Sequence, residues 1–428
     1  MKAKQILAGI AALLLLASCS PAPQEVNEKT VLKFCYIYER WSEETTSLEI
    51  YRAIDRFCEE NSNFRVEIVA LSEKELDAGK LPEADLYWDC HRMKQNIREE
   101  RYLNLKPYLD QDTEWKDGFR NGAFQQASLD GGIYGVPVFT VYDTLFYNVE
   151  LFEKNGINAA SIQTWEDFLA VCEMLKQADI LPLALMDHVD GRTNLLFDYL
   201  VQRLGGLEAV YALAEDREGA TFEKECFVHA AEMVRELFEK EYALSNVEAN
   251  ADQDPEIALF KSGEAAMCLV ENEAITGNWS DNVYEYAEVI SFPILNADKG
   301  DWWMEESNSY IAVSSQTAYP DAAVEMLKYM TGKQVQEGLL SWEHVVPAAK
   351  YVEYDPSVSY LSRGMQTLVN STKRKEVQTF SRFNLLWGAD VDEICNRGLV
   401  RVVRGEQTPQ EAMRSAQEEY EQLRNSVE

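Results

Sequence analysis

Positive charge is scarce in this chain. Lysine and arginine total 40 against 73 aspartates and glutamates, a formal net charge of −33 over 428 residues. Such a body repels phosphate backbones and anionic lipid, so nucleic acid is not an expected partner. The acids are spread over helical segments, as a solvated surface would be. Histidine is scarcer still. His91, His188, His229 and His344 show no metal-ligand spacing, and neither a metal nor a cofactor is expected. Gly-x-Ser-x-Gly, Cys-x-x-Cys and Gly-x-x-x-x-Gly-Lys are all absent, which weakens the case for an enzyme. Asp187 to Gly191 lacks the length and final acid of a calcium loop. Cys19 aside, seven cysteines at irregular spacing make no disulfide framework, and most read as small core residues. No internal repeat of fixed period occurs. Beyond the first residues, no run reaches the ~18 apolar positions of a spanning helix.

The exception at the start is informative. Lys2 and Lys4 precede an apolar run from Ile6 to Ala17, and Leu16-Ala-Ser-Cys19 closes it. This is the layout of a secretory signal. It resembles a bacterial lipobox, which implies cleavage after residue 18, a lipid on Cys19 and an extracytoplasmic body held to the membrane through that anchor only. Residues 19–30 are polar and aperiodic, suited to a flexible spacer.

The body opens on a strand (residues 31–38), a helix with apolar positions at Leu48, Tyr51, Ile54 and Phe57, a strand (64–69) and a third strand (84–88). That alternation predicts a mostly parallel sheet flanked by helices, with a ligand crevice beyond the carboxyl ends of its strands. Tyr38 to Trp41 and Trp88 to Arg92 fall at that mouth. Thr164 followed by Asp167, and Thr408 followed by Pro409 and Glu411, are helix-start signals. Trp302 and Trp303 read as part of an acidic loop, followed by a strand at Ser309–Ser314.

Several segments resemble the family 1 extracellular solute-binding proteins. They are Asp130-Gly-Gly-Ile-Tyr-Gly-Val-Pro137 with Leu145-Phe-Tyr-Asn148, Ala258-Leu-Phe-Lys-Ser-Gly-Glu-Ala-Ala-Met267, Phe292-Pro293, Val346-Pro347 and Gly405-Glu-Gln-Thr-Pro-Gln-Glu-Ala412. They occur in the family's order. The resemblance implies an α/β, two-lobed periplasmic-binding-protein-like fold of type II, with ligand in the interlobe cleft. It divides the chain into residues 31–139 plus 294–340 and residues 140–293 plus 341–428. It also implies a monomer that captures a carbohydrate, an oligosaccharide first of all, and hands it to the permease subunits of an ABC transporter.

Carbohydrate needs aromatic faces for its C–H patches and polar groups for its hydroxyls. The expected contacts are Glu39, Trp41, Trp88, Asp89, Arg92, Tyr142, Asn272, Glu273, Trp279, Trp303 and Trp342. Trp387 falls near a cleft edge as well, whereas Trp115 and Trp165 read as structural. One departure matters: where the resemblance leads one to expect Gly-x-Trp after Met267, this chain has Glu271-Asn272-Glu273. Those acids either bind hydroxyls or select a cationic ligand such as an amino sugar or polyamine. A surface glycosidase or adhesin stands behind both readings.

Overall fold

A computed structural model describes residues 29–37, 48–71, 81–89, 92–120, 122–187, 192–215, 217–245, 254–276, 286–342, 345–352, 363–372 and 378–427. Apart from a separate short hairpin of Ser128–Leu129 with Gly132–Ile133, the described strands are β1 (Thr30–Ile37), β2 (Phe64–Leu71), β3 (Leu86–Asp89), β4 (Val136–Asn148), β5 (Leu181–Ala184), β6 (Ala265–Glu271), β7 (Ala287–Ile290), β8 (Trp302–Val313), β9 (Val346–Pro347) and β10 (Gln378–Ser381). Among the described residues they form one sheet in the order β2-β1-β3-β8-β4-β6-β5, with β7 and β9 paired to β4 and β10 to β8. Its two ends, β2-β1-β3 and β5-β6, are parallel, as expected for strands joined by helical crossovers. The middle is antiparallel, because β4 and β8 run through both halves.

Two large cores lie on this frame. The first gathers Leu32 and Phe34 of β1, Phe57, Leu86, Val136 to Val141 of early β4, and Ile311 and Val313 of late β8. The second gathers Leu145 and Tyr147 of late β4, Phe168, Leu200, Phe227, Leu237, Met304 of early β8, and Met413. Each crossing strand thus changes core along its length. All thirteen positions of β4 are buried. β8 follows β4 with register shifts between Glu305 and Ser307 and between Ser309 and Tyr310.

Helix α1 (Leu48–Glu60) follows β1. Its buried face is Ile50, Ala53, Ile54 and Phe57, spaced i, i+3, i+4, i+7, while Leu48 and Tyr51 are exposed at 47% and 38%. The expected positions Ile54 and Phe57 are buried, whereas Ile50 and Ala53 take the places expected for Leu48 and Tyr51. The stretch read as an acidic loop at Trp302 is strand instead. It is paired on one side by β10 and on the other by β4, and Glu305 is buried within it. Partners distant in sequence override the local acidity there.

Local signals hold where the chemistry is local. At the start of α3 (Trp165–Gln177) Thr164 and Asp167 cap each other reciprocally, an arrangement that stabilises a helix end by about 1 kcal/mol. Trp165 stacks on Phe168 at 4.9 Å inside the second core, and Trp115 donates to Thr331 at 3.1 Å. None of the six described cysteines is disulfide-bonded, and Cys35, Cys172, Cys268 and Cys395 are buried. Among the described residues no helix is long and apolar enough to cross a membrane, and no group of acidic, thiol and imidazole side chains could hold a metal ion.

Candidate functional site

The helix after β3 begins one residue beyond Arg92. This is α2 (Met93–Arg98), and it brings Lys94, Gln95 and Arg98 to the rim of a cavity of about 920 Å³. That volume lies near the top of the ~300–1,000 Å³ range of small-molecule sites. Facing α2 are Tyr211 and Ala214 of α5 (Glu208–Ala214), then Ser381 and α10 (Phe383–Trp387) with Asn384, Leu386 and Trp387. Gln125, Gln126 and Leu129 complete the wall on the α2 side. A smaller space of about 490 Å³ adjoins it through Tyr211, lined by Gln202, Glu208, Lys299, Trp302 and Gln378 among others.

The walls are anchored in different cores. Tyr310 donates to the carbonyl of Ala123 at 2.7 Å, and the Arg120 guanidinium donates to the carbonyl of Pro347 at 2.8 Å, fixing the loop that bears Gln125 and Gln126. Gly122 in that loop has φ +80, and a Cβ there would meet Thr379 Oγ1 at 2.5 Å. Only glycine lets the loop approach β10 this closely.

Opposite, the β10–α10 corner is held by two buried carboxylates. Arg382 makes a two-point ion pair with Asp143, its Nε donating at 2.6 Å. The Phe383 backbone N–H donates to Asp198 at 2.9 Å. Burial pushes the Asp143 carboxyl up against the pull of Arg382. It pushes Asp198 well above the usual range, and the charge of Asp392 adds to that shift. Trp387 then packs on Phe383 and Phe222, with centroids 5.0 and 5.5 Å away. Two hydrogen bonds span the cavity: Gln125 donates to the Tyr211 hydroxyl at 2.6 Å and Gln126 to Ser381 Oγ at 3.0 Å. Asn384 Oδ1 is buried on the wall without a hydrogen-bond partner among the described residues.

The residues expected from sequence fall elsewhere. Trp88 is core, 5% exposed among Phe34, Tyr36 and Phe139, and its indole N–H donates to Ser309. Asp89 accepts from the Arg92 backbone N–H at 2.9 Å, from Asn96 at 2.8 Å and from Tyr102 at 2.8 Å, so its carboxylate is committed internally. Arg92 is half-buried beside it. Tyr142, Asn272 and Trp303 come together at the junction of the cores. The Tyr142 backbone N–H donates to Asn272 Oδ1 at 2.7 Å, and Tyr142 and Trp303 share one apolar cluster. Glu273 follows Asn272, half-buried. None of these lines the large cavity. Cys19, Glu39, Trp41, Trp279 and the Trp342 side chain lie outside the described residues.

Glu271, which stands in place of an expected glycine two residues before the expected tryptophan, shares Arg192 at 3.1 Å and Arg382 at 3.6 Å. Arg192 also reaches Glu256 at 3.2 Å and Asp254 at 2.5 Å. Of the cavity residues, sequence reasoning had singled out Trp387 only. Polar residues such as Gln125 or Tyr211 carry no local mark of a wall.

More than nine-tenths of the chain superposes on known solved structures. A chitin oligosaccharide binding protein superposes with a TM-score of 0.70 at 18% identity, over 93% of this chain and 100% of that one. The bacterial solute receptor AcbH, described with an exclusive preference for β-D-galactopyranose, gives 0.75 at 16% identity over 92% and 98%. An uncharacterised ABC transporter extracellular-binding protein of Pyrococcus horikoshii is 23% identical over 292 residues, 65% of this chain. The match spans 61% of that relative's own length. The architecture is thus the two-lobed solute-binding fold of type II. A family model described as bacterial extracellular solute-binding protein matches residues 42–337, and the chain belongs to that family.

Proposed function

We propose that this protein captures an oligosaccharide outside the cytoplasmic membrane, in the cavity between its two cores, and delivers it to an ABC-type permease. The observation that carries this reading is the cavity of about 920 Å³, whose α2 wall packs on the apolar cluster of Met93, Tyr102 and Tyr310 and whose far wall packs on the second core. A ligand held there contacts both sides only when they are close, so its binding energy favours a closed arrangement. Trp387 and Tyr211 supply ring faces, and Asn384 Oδ1 is an acceptor waiting for a hydroxyl. Glu39, Trp41 and Trp279 stay in the proposed contact set on sequence grounds. The lobes are proposed to divide at residues 31–139 plus 294–340 and 140–293 plus 341–428.

Capture is non-covalent and uses no catalytic residue. The lipid on Cys19 keeps the protein beside its permease, which raises the effective concentration without any new contact. A cationic ligand read by Glu271 and Glu273 is the less favoured variant, because Glu271 already shares two arginines. Calorimetry and tryptophan fluorescence against a broad oligosaccharide panel test the reading. At least one saccharide should release or absorb heat and change the emission. Silence across the panel by both methods would remove the saccharide assignment. Cys19→Ala should release the mature protein from membranes, and retention would refute the anchor.

A further inference from the structure

The geometry points to an acidic saccharide, one bearing a carboxylate or sulfate, as the ligand of the large cavity. This rests on the saccharide reading above and adds the sign of the ligand's charge. The chain as a whole has 73 acids to 40 bases. Among the described residues, the acids and bases around the cavity reverse that ratio: they are Lys94, Arg98, Arg217 and Glu215. Glu215 is already committed, accepting from Arg217 Nε at 2.7 Å, while Arg217 also donates to Glu208 at 2.6 Å. Lys94 and Arg98 are left without a carboxylate partner among the described residues.

Both stand on α2, four residues apart and therefore on one face, where like charges repel. Lys94 is half-buried, its ammonium donating to the carbonyls of Ser128 and of Gln125, the latter at 3.2 Å. Those carbonyls fix the ammonium at the wall without neutralising it. Burial holds the lysine below its ordinary pKa, the Arg98 charge adds to that, and the more distant charge of Glu215 opposes it. Arg98 is exposed at the rim, and no described group accepts from its guanidinium. Two cations on one face of a cavity, whose nearest described acid Glu215 is ion-paired with Arg217, form a subsite that an anionic group would complete. A guanidinium also matches a carboxylate or sulfate with two parallel hydrogen bonds.

The test uses pairs of saccharides that differ only in charge. Oligogalacturonate, oligomannuronate and glucuronic-acid-substituted xylo-oligosaccharide are each titrated beside their carboxyl-reduced counterparts, with a sulfated oligosaccharide beside its desulfated form. At least one acid should bind about tenfold or more tighter than its neutral twin, the low end of a charge-assisted hydrogen bond. Arg98→Gln should then shrink that ratio severalfold, and Lys94→Gln with Arg98→Gln should bring it near one. A neutral member binding as well as its acid overturns the charge inference and leaves the saccharide reading intact. A preference for acid that survives the double variant overturns the assignment to α2. Failure of every acidic member overturns the charge inference, and only silence across the broad oligosaccharide panel removes the saccharide reading with it.

Discussion

Glu256 gives the sharpest quantitative expectation. It lies in the first turn of the helix Pro255–Lys261 and is only 1% exposed. Its carboxylate accepts from the Met186 backbone N–H at 2.8 Å and from Arg192 at 3.2 Å. Arg192 is shared with Asp254 and Glu271, so Glu256 receives only part of one positive charge. Burial accordingly raises its pKa from 4.5 to about 7 against the pull of Arg192, and the charge of Asp254 adds to the rise. Cys268, also close to Arg192, is buried with its thiol held well above the usual range, so it brings no charge at neutral pH. The folded pKa lies above the unfolded one, so between those values the folded state holds a proton that the unfolded chain has released. The contribution is fully present below about pH 4.5 and is lost as pH rises through about 7. The gap corresponds to about 3 kcal/mol. Glu256→Gln keeps an acceptor oxygen and abolishes the titration. Urea unfolding of both proteins between pH 4 and 8 should show the variant gaining about 3 kcal/mol relative to the native chain, mostly between pH 5 and 7. Parallel stability profiles would refute the argument that Arg192 is spread too thinly to hold Glu256 ionised.

Removing Arg382 with Arg382→Met strands a fully buried Asp143 and should cost about 3–5 kcal/mol, with part recovered in the Asp143→Asn double variant. Strictly additive losses in denaturant unfolding would mean that the pair is not coupled. Gly122→Ala forces an alanine to φ +80 against Thr379 and should lower stability by about 1–2 kcal/mol, with Thr379→Ala relieving only the contact. An unchanged melting temperature for Gly122→Ala would contradict the close approach. Tyr211→Phe deletes the hydroxyl that accepts from Gln125, worth about 1 kcal/mol, and should widen the unliganded protein in small-angle scattering. An identical scattering curve would show that this bond does not hold the walls together. Burial pushes the Cys35 thiol up to about 12, so iodoacetamide at pH 8 should label it only after unfolding, and native-state labelling by mass spectrometry would count against the packing of β1.

The fold was legible where neighbours in sequence decide the structure. The first strands and α1 follow their own periodicity, and the capped starts at Thr164 and Thr408 are chemistry confined to four residues. Early β8 was not legible, because acids at residues 305 and 306 mimic a loop until β4 and β10 are brought alongside. The candidate cavity was the least legible part. The crevice expected beyond β3 is where α2 delivers Lys94 and Arg98, but the tryptophan chosen at that strand end points to packing instead. Its far wall comes from residues 211–215, residue 217 and residues 381–388, and only folding brings those segments opposite Gln125. Polar side chains in short helices look alike whether they face bulk water or a cavity.

The two register shifts where β8 runs beside β4 have a mechanical meaning. Any rotation of one core against the other must flex these strands, since both continue through it. An unbroken ladder would spread the strain over every rung. The shifts at Glu305/Ser307 and Ser309/Tyr310 interrupt the ladder twice within a few residues and leave a ready-made crease. Bending there alters a few backbone angles and leaves the side-chain packing on either side undisturbed. The crease is thus confined to the six residues from Glu305 to Tyr310, within one sheet that serves both cores.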